Sequence, residues 1–163
     1  MNISVAMATY NGEKYLNEQL DSILIQLNYN DEIVISDDGS IDSTISIIKH
    51  YQKVEKRIKL YKGPQKGFVK NFENAINHCT NEIIFLSDQD DIWLSNKRNE
   101  VLNCFKEDNI DLVIHNFVLL IDGKILPSNY VYHQGIMHNL IMSSYIGCMM
   151  AFRKTLRSEE RRV

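Results

Sequence analysis

A chain of 163 residues is long enough for one domain with a single core and too short for two ordinary ones. Apolar residues make up 44% and charged residues 24%, the balance of a globular protein, which excludes a disordered or membrane-spanning class. The net charge of -3 supplies no basic face for a phosphate backbone, so nucleic acid is not an expected partner and an acidic substrate needs a local cation or metal.

Ile3 to Ala8 is an apolar run ending at Thr9-Tyr10-Asn11-Gly12, where Asn-Gly marks a turn, so the first element is a strand. From Glu13 to Leu27 the positions Leu16, Leu20, Ile23, Leu24 and Leu27 keep the spacing of an amphipathic helix. Glu32 to Ser36 reads as a second buried strand that runs into Asp37-Asp38-Gly39-Ser40. Asp42-Ser43-Thr44 then opens a helix to about Tyr51. Arg57 to Lys62 alternates like a third strand, Gly63-Pro64 breaks it, and Phe68, Phe72, Ala75 and Ile76 mark the face of a third helix. Glu82 to Ser87 is a fourth strand, emptying into Asp88-Gln89-Asp90-Asp91. A helix is expected from Ile92 to about Phe105, strands at Asp111 to Ile114 and Phe117 to Ile121, a short helix at Ile136 to Met142, and a strand-like run at Tyr145 to Phe152. The domain is expected to occupy residues 1–152, with 153–163 a charged tail.

Cys79, Cys104 and Cys148 are odd in number and widely spaced, which argues for buried thiols in a reducing compartment rather than a disulfide or zinc framework. No secretory signal opens the chain and no run reaches the roughly 18 apolar residues of a membrane span. A cytoplasmic location is expected, with peripheral contact at the inner face of the membrane left open.

Strands alternating with helices imply a mostly parallel sheet, and in such sheets ligands bind outside the carboxyl ends of the strands. Both acidic clusters therefore face one crevice. In Asp88-Gln89-Asp90-Asp91 three carboxylates crowd within four residues, and their repulsion is relieved by a hard cation such as Mg²⁺ or Mn²⁺. The alternative is a solvated, helix-capping loop. Asp37 and Asp38 can accept from ribose hydroxyls or a base N–H, or serve as ordinary turn residues. Thr9, Tyr10 and Asn11 can put a ring and polar groups beside a nucleobase, or form a plain turn. Lys66 and Lys70 flank Gly67, where they meet phosphate charge or stay in solvent. Trp93 is either an aromatic wall of the site or an anchor for the next helix. His115, His133 and His138 lack metal-ligand spacing and are read as structural or surface residues.

Taken together, Ile3 to Gly12, Ile35-Ser36-Asp37-Asp38-Gly39-Ser40-Ile41-Asp42 and Phe85-Leu86-Ser87-Asp88-Gln89-Asp90-Asp91-Ile92-Trp93 resemble the family-2 glycosyltransferases of the GT-A fold, and Tyr145 to Arg153 is similar to their rhamnosyltransferase-like branch. The resemblance implies a single Rossmann-like α/β domain, a mostly parallel sheet flanked by helices. It implies a nucleoside-diphosphate sugar as donor, UDP- or dTDP-linked, and a glycan or lipid-linked acceptor in envelope polysaccharide synthesis. By position, Thr9, Tyr10 and Asn11 would line the nucleoside pocket and Asp37 or Asp38 would contact base or ribose. Asp88 and Asp90 would end the metal-binding Asp-x-Asp motif with Asp91 in support, and Lys66 would approach the nucleotide. The family's general base lies in an acidic segment further along. Glu159 and Glu160, the acids after Phe152, lack the apolar frame for that role, so the C-terminal part is expected to be missing, and a binding module without turnover is the alternative. A receiver-like signalling domain would begin with paired acids after its first strand, and a nucleotidyltransferase with a glycine-rich basic loop. Neither pattern is present.

Overall fold

The computed structural model describes residues 1–121, 124–127 and 149–156. Its centre is β1 (Ile3–Thr9), which pairs in parallel with β2 (Glu32–Asp37) on one side and with β4 (Ile83–Ser87) on the other. β3 (Ile58–Lys62) adds to β2 in parallel. The order of the six-stranded sheet is β3-β2-β1-β4-β8-β5, with β5 at Leu112–Ile114 and β8 at Met150–Arg153. β8 runs antiparallel to both of its neighbours. Between β5 and β8 come β6 (Val118–Ile121) and β7 (Lys124–Pro127), a separate two-stranded antiparallel sheet.

The inner strands are buried on both faces, which is why they read as continuous apolar runs. Ile3, Val5, Met7, Ile33, Ile35, Ile83 and Phe85 pack under α1 (Leu16–Leu24), α2 (Thr44–Val54) and α4 (Lys97–Cys104). On the opposite face Ala6, Val34 and Ile84 meet Ala75 and Cys79 of α3 (Phe68–His78) and its end. Each Val, Ile, Met or Phe side chain among these, fully withdrawn from water, contributes about 1.5–3 kcal/mol.

Helix boundaries differ from the sequence reading for local reasons. α1 starts at Leu16 because the Gly12 carbonyl first accepts from the N–H groups of both Tyr15 and Leu16, closing a turn. α4 starts at Lys97 and not at Ile92. Trp93 is buried at 4% exposure, its ring tilted by 36° against Phe85 at 5.3 Å, with its backbone N–H donated to Ser22 Oγ, so the chain crosses α1 before it can coil. Trp93 thus anchors the core and is no wall of the cleft. In α3 the expected face is rotated: Phe68 is 76% exposed, and Asn71 and Ala75 point inward. Cys79 is buried as expected, whereas Cys104 is exposed. Cys148, His133, His138, the helix expected at Ile136 to Met142 and the tail after Leu156 lie outside the described residues.

At the amino ends of the strands, buried charges are paired. Asp31 accepts from Arg98 Nε at 2.9 Å and from the N–H groups of Ile3 and Asn28. Glu32 accepts from Ser4, from Lys59 and twice from Thr80. Burial pushes the Glu32 carboxyl up, but these donors outweigh it and hold the group below its ordinary range. Among the described residues no helix is long and apolar enough to cross a membrane.

Candidate functional site

The carboxyl ends of β1, β2 and β4 open into a cleft of about 620 Å³. At the end of β2, Asp37 is 4% exposed and its carboxylate is fully used inside the protein. One oxygen accepts from Thr9 Oγ1 at 2.9 Å and Ser40 Oγ at 2.6 Å, the other from the N–H groups of Gly39 and Ser40. It frames the turn, in which Gly39 takes φ +98°, a conformation that suits glycine. Asp38 does line the cleft, and it also bridges to the segment after β3. Its two oxygens accept from Gln65 N–H at 2.6 Å and Gly67 N–H at 2.9 Å.

At the end of β1 the roles divide similarly. Thr9 spends its hydroxyl on Asp37, and its carbonyl accepts from Asp38 N–H and Asn71 Nδ2, so Thr9 borders the cleft through backbone. Tyr10 presents a ring that is 57% exposed. Asn11 does not line the cleft. Held at φ +50°, it accepts from Ile41 N–H and donates its own N–H to Ser40 Oγ, tying the two loops together.

The β4 loop supplies Asp88, Gln89 and Asp90 to the cleft. α1 fixes this loop from beneath, where buried Gln19 donates to Ser87 Oγ and to the Asp88 carbonyl. Asp90 is exposed, and its carboxylate accepts no hydrogen bond from any described residue. Asp91 lies off the cleft, where its charge acts on His115. Burial and Lys97 still push His115 below its ordinary range. Lys66 is exposed on the rim outside the lining, while Lys70 pairs with Glu73 in solvent at 2.6 Å.

The cleft therefore gathers Thr9, Tyr10, Asp38, Asp88 and Asp90 from the sequence candidates and leaves Asn11, Asp37, Lys66 and Asp91 behind or beside it. It also recruits Gln65, Asn71 and Gln89, which the sequence reading did not name as site residues, and Phe68, which it placed on the packed face of the third helix. Asn71 had a signal, being a polar residue on the buried stripe of α3. Gln89 had one in its place between two aspartates.

Three carboxylates and no Lys, Arg or His side chain line the cleft among the described residues. No group of three or more His, Cys, Asp and Glu side chains among them is gathered tightly enough to hold an ion alone. That donor set fits an Mg²⁺- or Mn²⁺-type site, in which one or two carboxylates are joined by water and substrate phosphate.

The family model described as Glycosyl transferase family 2 matches residues 4–157. The chain is 36% identical over 118 residues to a dTDP-rhamnosyl transferase, RfbG, of Shigella flexneri, covering 69% of this chain and 41% of that protein. It is 28% identical over 149 residues to the Escherichia coli enzyme WfgD, named a UDP-Glc:alpha-D-GlcNAc-diphosphoundecaprenol beta-1,3-glucosyltransferase, covering 90% of this chain and 58% of that one. The chain thus spans about half the length of the curated relatives it matches. Among solved structures, residues 1-349 of TarS from S. aureus share the fold at a TM-score of 0.78 and 22% identity, over 99% of this chain and 49% of that one. A mannosyltransferase from Pyrobaculum calidifontis, solved with GDP-Man and Mn²⁺, shares it at a TM-score of 0.73 and 20% identity, over 96% of this chain and 46% of that one.

Proposed function

The chain belongs to glycosyl transferase family 2, and from that premise we propose that it binds a nucleoside-diphosphate sugar across the ends of β1, β2 and β4 for transfer of the sugar to a glycan or lipid-linked acceptor. The observation that carries this reading is the charge of the cleft. With three carboxylates and no basic side chain in its lining among the described residues, a diphosphate enters favourably only with a divalent cation.

In this reading Tyr10, the Thr9 backbone and Asp38 receive the nucleoside, with Asn11 and Asp37 holding that wall in shape. Asp90, whose carboxylate is uncommitted, is the direct ligand for Mn²⁺ or Mg²⁺. Asp88 shares the donor, Asp91 supports from outside, and Lys66 meets phosphate charge from the rim. The bound ion would supply positive charge for the departing nucleoside diphosphate. The protein's own part is to orient: the nucleoside wall and the β4 loop hold the donor so that an acceptor hydroxyl meets the anomeric carbon from the opposite side, inverting it. The hydroxyl's proton passes to a carboxylate base, for which no residue is assigned.

The names of the two relatives support a dTDP- or UDP-linked donor. The undecaprenol in one of them supports a lipid-linked acceptor at the inner face of the membrane, in envelope polysaccharide synthesis.

Titration calorimetry with UDP, dTDP and GDP, with and without Mn²⁺, tests the reading. Metal-dependent binding that weakens about tenfold or more in Asp90→Ala is the expected result. Binding that ignores both the metal and this substitution would refute it.

A further inference from the structure

β1 and β4 are paired from Ile3–Ile83 to Met7–Ser87 and no further, whereas β1 continues along β2 as far as Thr9–Asp37. Past Ser87 the two strands part, and the cleft opens between them, with Thr9 and Tyr10 on one bank and Asp88 and Asp90 on the other. The Gln89 side chain crosses that gap. Its Oε1 accepts from the Tyr10 N–H at 2.9 Å, and its Nε2 donates to the Tyr10 carbonyl at 3.1 Å. Two residues facing each other in an antiparallel pair exchange bonds in the same way, so where the parallel pairing of β1 and β4 stops the amide adds a rung of antiparallel type, built from a side chain. The rung is wedged in place. A Cβ on Gly12 would stand 2.3 Å from Gln89 Oε1 and 2.6 Å from its Cδ, so Gly12 is the residue that leaves room for the amide. Because Gln89 shares peptide bonds with Asp88 and Asp90, the rung ties the carboxylate bank to the backbone of the aromatic one.

We propose that Gln89 is a positioning residue that sets the span between the nucleoside half and the metal–diphosphate half of the donor site. The inference rests on the donor-site reading above and adds to it a determinant of geometry. A ligand confined to one half does not sense the span. A ligand that reaches both halves does, because the second contact gains from the first only when the two are correctly spaced. Loosening the rung therefore leaves a nucleoside monophosphate bound as before and removes the extra affinity that the diphosphate with its metal ordinarily gains.

The test is calorimetric titration of the full chain with UMP and with UDP plus Mn²⁺, repeated with the thymidine and guanosine pairs. Gln89→Ala removes the rung, Gln89→Asn shortens it by one methylene, and Gly12→Ala displaces it while leaving Tyr10 and both aspartates intact. The expected result is a fall of about tenfold in the ratio of the monophosphate Kd to the diphosphate–Mn²⁺ Kd in Gln89→Ala and Gly12→Ala. The monophosphate Kd should stay within about twofold in variants that still melt cooperatively, and Gln89→Asn should fall between. An unchanged ratio, or a parallel weakening of both ligands as in a general disturbance of the Tyr10 loop, would overturn the proposal. A wild-type chain that binds none of the nucleotides with or without Mn²⁺ would sink the donor-site reading itself, an outcome distinct from a lost ratio in a chain that binds.

Discussion

Replacing Asp38 with alanine removes the two hydrogen bonds that hold the segment after β3 against the β2 turn, from Gln65 N–H at 2.6 Å and Gly67 N–H at 2.9 Å. That segment needs a latch, because Gln65 sits at φ +57° and Gly67 at φ +84°. A left-handed non-glycine residue costs roughly 1–2 kcal/mol. Hydrogen bonds to an ionised acceptor contribute about 1.5–3 kcal/mol each, but both donors here are exposed and take water when released, so the pair together is worth about 2 kcal/mol of local opening. At 1.4 kcal/mol per tenfold, that is an acceleration of about 30-fold in amide hydrogen exchange at Gln65 and Gly67. The core strands should keep their protection, since Asp38 contributes no side chain to them. Native-state exchange read by NMR measures both. Rates at Gln65 and Gly67 within about threefold of wild type would refute the latch, as would equal acceleration throughout β1 and β2.

Two further outcomes concern the opposite end of the sheet. Arg98→Met leaves Asp31 buried without its cation and should cost about 3–5 kcal/mol in urea unfolding, while adding Asp31→Asn to it should recover part of the loss. Glu32, held below its ordinary value of 4.5, contributes stability that is complete above that value and is lost as pH falls through the folded-state pKa. Glu32→Gln should therefore melt lower than wild type at pH 7, with the gap between the two narrowing below about pH 4.5.

The inner parallel strands were legible because they are buried on both faces, and burial writes itself as apolar runs such as Ile33-Val34-Ile35 and Ile83-Ile84-Phe85-Leu86. The acidic loops were legible because carboxylates rarely cluster at strand ends without a reason. What each carboxylate does was not. Asp37 and Asp38 are neighbours of one chemistry, yet one is consumed by Thr9, Gly39 and Ser40 while the other faces the cleft, and only the turn geometry separates them. The face of α3 was misread at Phe68, since periodicity finds a stripe but cannot tell a core from a cleft wall. The role of Gln89 was not legible, although its place between two aspartates was, because its bonds go to main-chain atoms of Tyr10, which side-chain patterns do not register. The start of α4 was missed because Trp93 obeys tertiary packing on Phe85 in preference to local helical spacing.

The antiparallel strand β8 has a consequence for the order in which the molecule comes together. Among the described residues β5 has no neighbour in that sheet but β8, so when residues 112–114 leave the ribosome the strand they are to join has yet to be made. The four parallel strands, and Asp38 with them, are all synthesised by residue 87, and Asp88 and Asp90 follow directly. Arg153 arrives with β8, donating to the carbonyls of Phe105 and Ile110 and to the Glu82 carboxylate, and so fastens the late edge to the early half. Vectorial synthesis on this plan would assemble the binding cleft before the flank that braces it, and a nascent chain stalled ahead of β8 would carry a formed cleft beside an unpaired strand edge open to association with other chains.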